Sequence, residues 1–258
     1  MKPQLTYGVA IDTAEHLASL PDLPPSLSLL KIPSLLLDCP DSVRHLGAFN
    51  GKQILCGELL DRSLCALSPN ENLRLRLEFL KQLKQRAFEA KDVGALSVSA
   101  AFDIGSTLND PEYRDSLLTM LRSFCGALEE IEIDFEMPLR LPDTMLTPGQ
   151  LACFMRELPG RHLGVLVELH PHEAAFAALP EQILHPVAFS LRTLEFYYDA
   201  ASGNHLTPKL LAKTIRPLAF ALRPLRVIFH PAGLEPDGWE VELYELDQLI
   251  RASAEEIC

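Results

Sequence analysis

A chain of 258 residues with 48% hydrophobic and 22% charged residues has the composition of an ordinary soluble globular protein, long enough for one large α/β domain or two small ones. Its net charge of −12 argues against nucleic-acid or anionic-membrane partners, because either calls for a basic face. Six cysteines (Cys39, Cys56, Cys65, Cys125, Cys153 and Cys258) form no C-x-x-C pair, and no stretch reaches the roughly eighteen apolar residues of a membrane span. Together with an N-terminus lacking an apolar leader core, these features lead us to expect a cytoplasmic protein with free, buried thiols.

Tyr7 to Asp12 (YGVAID) reads as a first strand, followed by a short helix over Thr13 to Ser19. Leu20 to Pro33 is interrupted by prolines and reads as an irregular crossover. Pro33 to Pro40 (PSLLLDCP) is the expected second strand and Gln53 to Leu60 the third. Ser68-Pro69-Asn70-Glu71 has the form of a capping box, and Leu73, Leu77, Leu80, Leu83 and Ala87 continue at helical spacing to Ala90. Ala95 to Gly105 alternates as a fourth strand, and Asp110-Pro111 starts a helix running to about Cys125.

Glu129 to Pro138 (EEIEIDFEMP) is the expected fifth strand. Period two puts Ile131, Ile133 and Phe135 on one face and Glu132, Asp134 and Glu136 on the other. Thr147-Pro148-Gly149-Gln150 is a second capping box, heading a helix to Leu158. Gly164 to His170 is the sixth strand, with a short helix over Glu173 to Leu179, and Ala188 to Asp199 the seventh. Thr207-Pro208 caps a helix to about Leu222, Leu225 to His230 is the eighth strand, and Glu240 to Ala252 a final helix. Eight strands, nearly all followed by helices at a period of roughly 32 residues, predict one (β/α)8 TIM barrel over residues 1–258. No G-x-G-x-x-G or phosphate loop supports an open doubly wound sheet.

The strand endings carry the functional argument. Asp12, Asp38, Glu58, Asp103, Glu136, Glu168 with His170, Glu195 and His230 all fall where a barrel places its active site. So many carboxylates around one axis repel one another by several kcal/mol unless a cation or shared protons intervene. A divalent metal held by three carboxylates and a histidine resolves this, and hard oxygen ligands with one imidazole suit Mn, Mg or Co, with Zn a further option. Arg226 shares parity with His230 but lies four residues deeper, which points to pairing with a barrel acid. Tyr198 is expected in outer packing and Trp239 against the last helix.

On these strands the chain resembles the xylose isomerase-like barrels, which include sugar isomerases and epimerases. In that resemblance the metal ligands match Glu136, Glu168, Glu195 and His230, spaced 32, 27 and 35 residues apart. The ligand kinds are kept but permuted: the epimerases' order is Glu, Asp, His, Glu. The resemblance implies a metal-dependent sugar isomerase or epimerase that abstracts a proton next to a carbonyl and stabilises an enediolate. It implies catalytic roles for Glu136, Glu195 and His170. Tyr197, Asp103, Glu58 and His172 would contact a small-molecule sugar. Barrels of this kind often pair, so a homo-oligomer is an expected partner. Two alternatives stand beside it. One is a metal-free glycoside hydrolase using Glu136 and Glu195; the other is a barrel that has lost catalysis and serves in binding.

Overall fold

The computed structural model describes residues 4–49, 52–59, 73–102, 104–105, 109–141, 147–158, 160–170, 187–200, 206–218 and 224–257. The capping box at 68–71, Asp103, His172 and the helix expected over 173–179 lie outside them.

Eight parallel strands close into a barrel in sequence order. They are β1 (Leu5–Ala10), β2 (Leu27–Pro33), β3 (Gln53–Gly57), β4 (Ala95–Ser99), β5 (Asp134–Leu141), β6 (Leu163–Leu169), β7 (Leu191–Asp199) and β8 (Leu225–Ala232). The described outer helices are α1 (Ala14–Ser19), α2 (Pro40–Ala48), α3 (Leu73–Asp92), α4 (Pro111–Glu130), α5 (Pro148–Met155), α6 (Pro208–Ile215) and α7 (Trp239–Ile257). The fold is thus the (β/α)8 barrel that the strand count predicts.

Local chemistry accounts for where the helices begin. Asp110 accepts a hydrogen bond from the Tyr113 amide at 2.9 Å ahead of Pro111, and Thr207 does the same for the Leu210 amide at 3.2 Å ahead of Pro208. Thr147 and Gln150 form the expected reciprocal cap, at 2.8 and 3.3 Å.

Two strands depart from the sequence reading, and both shifts change the site. PSLLLDCP is not a strand. Ser34–Asp38 is a 3-10 turn, and β2 lies earlier, inside the proline-rich segment expected to be irregular. Asp38 therefore leaves the barrel mouth and pairs with Arg86 of α3 at 2.5 and 2.7 Å.

The fifth strand is displaced too. Leu121, Phe124, Cys125 and Leu128 carry the buried stripe of α4 as far as Glu130. Glu132 then turns the chain with φ +53°, so β5 starts only at Asp134 and continues past Pro138. Phe135 bonds to β6 through its amide, so alternation aims Pro138's missing donor at the β4 side, where pairing has ended at Ser99–Glu136. A proline is tolerated there.

Phe135, Met137 and Leu139 face outward into the layer under the helices, with Phe135 edge-on to Phe124 at 5.1 Å. Tyr198 is buried on the same outer side, donating its hydroxyl to Glu242 of α7, and Trp239 is buried at the head of that helix. Inside the barrel, Ala10, Leu29, Leu55 and Ile228 form a small apolar cluster. Cys56 and Cys125 are buried free thiols, with burial pushing them up to about 12 and about 11; Cys39 is only half-buried and Cys153 exposed, contrary to the expectation for them. No described helix is long and apolar enough to cross a membrane.

Candidate active site

Beside its small apolar cluster the barrel interior holds two ionic tiers. In the lower tier Asp134 of β5 accepts from Arg192 Nη1 at 2.5 Å and Arg226 Nη2 at 3.0 Å, and lies 3.0 Å from His162 Nδ1. Arg226 turns its other nitrogen, Nη1, to Glu136 at 2.8 Å. Burial alone would raise the Asp134 pKa, but Arg192, His162 and Arg226 together hold it below the ordinary value. The Arg226 pairing is the one its parity predicts. Arg192 was not foreseen, because simple alternation turns it outward. A register shift between Val165 and Leu166 on β6, against β7, swings it inward, and it lies across Gly164, where any Cβ would overlap its side chain.

The upper tier opens to a cavity of about 60 Å³ at the C-terminal strand ends, lined by Asp12, Lys31, Gly57, Glu58, Glu195, Tyr197 and His230 among others. Glu195 of β7 is fully buried. One of its oxygens takes the Lys31 ammonium, and the other lies 3.1 Å from His230 Nδ1. His230 Nε2 lies 2.8 Å from Asp12. An imidazole placed between two carboxylates must donate from both nitrogens, so His230 is an imidazolium. Burial opposes that charge, yet Asp12 and Glu195 raise its pKa to about 9. Burial likewise opposes the Glu195 carboxylate, but Lys31 and His230 push its pKa down to about 2. Lys31 is held above its usual value: burial works against it, and the charges of Glu195, Glu168 and Glu136 outweigh burial.

Above Glu195, Tyr197 stacks on His170, just past β6, and lies tilted against His230 of β8. Tyr197 lies 4.1 Å from His230 and 4.7 Å from His170. Glu168 stands in register with Glu195 on one side and with Arg140, not Glu136, on the other. Glu58, at the cavity edge, has φ +50°.

Of the residues singled out from the sequence, the structure brings together Glu195, His230, Tyr197 and His170, with Glu58 at the rim. Glu136 is 1% exposed beneath Arg226 and does not line the cavity, which removes one of the two carboxylates a hydrolase would need. The four residues matched to metal ligands do not fit a metal in this arrangement. Both His230 nitrogens and both Glu195 oxygens are engaged, and Glu136 has one oxygen held by Arg226 and only Oε2 without a hydrogen-bond partner. Among the described residues no three acidic, histidine or cysteine side chains converge on a cation position. The charge the acids required comes from Lys31, Arg192, Arg226 and His230 instead. Lys31 was missed because its strand was read as a loop. The signal was present, as a lone lysine in the period-two run LSLLKIP.

The architecture is that of a (β/α)8 barrel. No family profile and no curated protein sequence matches the chain. Solved structures do. A D-tagatose 3-epimerase-like protein superposes over 100% of both chains with TM-score 0.67 at 13% identity. A D-psicose 3-epimerase solved in the presence of D-fructose has TM-score 0.66 at 9% identity, over 98% of this chain and 96% of that one. A xylose isomerase-like barrel from Mycobacterium smegmatis, in complex with magnesium, has TM-score 0.60 at 13% identity, over 100% of this chain and 98% of that one. Likeness at such identities establishes the shared fold.

Proposed function

We propose that this chain is an isomerase or epimerase of a small polyhydroxylated carbonyl compound, acting by proton transfer at the carbon next to the carbonyl. The observation that carries this reading is the placement of an acid–base pair, Glu195 and the His230 imidazolium, with the Lys31 ammonium in one small cavity at the strand ends. The sugar epimerases with the same fold support the substrate class.

The residues divide the work as follows. The carbonyl oxygen of the substrate faces Lys31 and His230. As the C–H bond breaks, its proton passes to Glu195, its electron pair forms a double bond to the carbonyl carbon, and the carbonyl π pair moves onto that oxygen. Glu195 is a weak base while two cations flank it. A substrate oxygen that takes over part of the Lys31 ammonium's attention relieves that suppression, so binding itself raises the basicity of Glu195. Delivery of the Glu195 proton to the former carbonyl carbon, with the neighbouring hydroxyl proton passing to the former carbonyl oxygen, completes an isomerisation; protonation of the original carbon by water from the opposite face, with Glu195 releasing its proton to solvent, completes an epimerisation. Tyr197 and Glu58 line the cavity where substrate hydroxyls would lie.

The test is exchange of the substrate's carbon-bound proton with deuterated water, followed by NMR over a panel of ketoses and aldoses. At least one sugar should exchange, and Glu195→Gln should slow that exchange at least about 100-fold. A panel without exchange, or exchange indifferent to Glu195, rejects the reading.

A further inference from the structure

Lys31 ties two strands of the barrel together through its side chain. It starts on β2, across the barrel from β7, and its side chain runs over Gly57, where a Cβ would stand 2.9 Å from Lys31 Cε. Its nitrogen reaches Glu195, and the charges of Glu168 and Glu136 act on it as well. These are three of the four residues that the fold resemblance would assign to a divalent cation. The fourth, His230, turns both of its ring nitrogens to Asp12 and Glu195.

We propose that the Lys31 ammonium occupies the place of the divalent cation in this barrel, so that the site works without a metal and Lys31 itself meets the carbonyl oxygen of the substrate. This rests on the reading of the cavity as a proton-transfer site for its chemical half only. The electrostatic half, an internal cation in the midst of the carboxylates, stands without it.

The deciding experiment needs no substrate. The full chain, grown with added manganese, is analysed for metal content, and its melting temperature is followed with MnCl2, MgCl2, CoCl2 or EDTA. The wild type should carry far less than one metal per chain, and its Tm should move by no more than about 1 °C with any of them. Lys31→Met, which vacates the position but keeps the carboxylates, should gain a Mn-dependent rise of about 5 °C or more, and Lys31→Met/Glu195→Gln should lose it again. Near-stoichiometric metal in the wild type that Glu195→Gln removes would overturn the proposal. So would a folded Lys31→Met chain as indifferent to manganese as the wild type. If Lys31→Met does not fold, the wild-type titration decides alone. A metal-free protein that exchanges no sugar proton would leave the cation assignment standing and sink only the proposed reaction.

Discussion

The two ionic tiers inside the barrel use similar groups to opposite ends. In the lower tier, the acids Asp134 and Glu136 are gripped by the guanidinium forks of Arg226 and Arg192, whose planar geometry fixes both partners, and no described cavity adjoins them. In the upper tier the acids Glu195 and Asp12 face an ammonium and an imidazolium, groups that can release a bond or a proton, and the cavity lies alongside. Which cation is used, and whether space adjoins it, separates a charge cluster that braces the barrel from one that can react.

That contrast can be broken from its stiff side first. Arg226→Met strips a partner from two carboxylates that are mostly buried. We expect a loss of about 3–5 kcal/mol in urea unfolding, the usual result of uncovering a buried charge. Gly164→Ala pushes the Arg192 side chain off its resting place, and the overpacking should lower stability by about 2–3 kcal/mol. Lys31→Met should lower it less, by about 1–2 kcal/mol, since water in the cavity can take the vacated place beside Glu195. A Lys31 variant as damaged as the Arg226 variant would show that the upper tier is equally structural.

The pH dependence probes the upper tier without a substitution. Glu195 is depressed to about 2, so its contribution to stability is present above its unfolded value near 4.5 and fades as pH falls toward 2. His230 is raised to about 9, so its contribution is complete below 6.5 and is lost as pH rises through 9. Thermal melts should therefore plateau between about pH 4.5 and 6.5 and decline on both sides. His230→Asn should flatten the alkaline limb, and a wild-type Tm that stays level from 6.5 to 9 would contradict the imidazolium.

Most of the barrel was legible because helix caps and hydrophobic periodicity are local signals. Thr147-Pro148-Gly149-Gln150 and Thr207-Pro208 announce their helices without tertiary context. The parity and depth of Arg226 pointed to pairing with a barrel acid, and the partners are Asp134 and Glu136. What stayed hidden was set by non-local pairing. β2 sits where prolines argued for a loop, since Pro33 ends the strand and does not interrupt it. Glu132, Asp134 and Glu136 read as one face of a strand that began at Glu129, yet α4 runs to Glu130 and Glu132 makes the turn, which leaves only Asp134 and Glu136 to the strand. Arg192 depends on a register shift between two strands, which no single-strand pattern reveals. The sequence reading inferred correctly that clustered carboxylates need positive charge. Lys31, Arg192, Arg226 and His230 place positive charge among those carboxylates.

The path of Lys31 across Gly57 has a consequence for how such a site is kept charged. A free ion must be captured from its surroundings, discriminated from competitors and retained against dilution or a chelator. A cation tied to the backbone by four methylenes faces none of these demands, because its local concentration is set when the barrel closes. What it gives up is the ability to be exchanged. The site can hold only that charge, at the reach that the missing side chain of Gly57 allows.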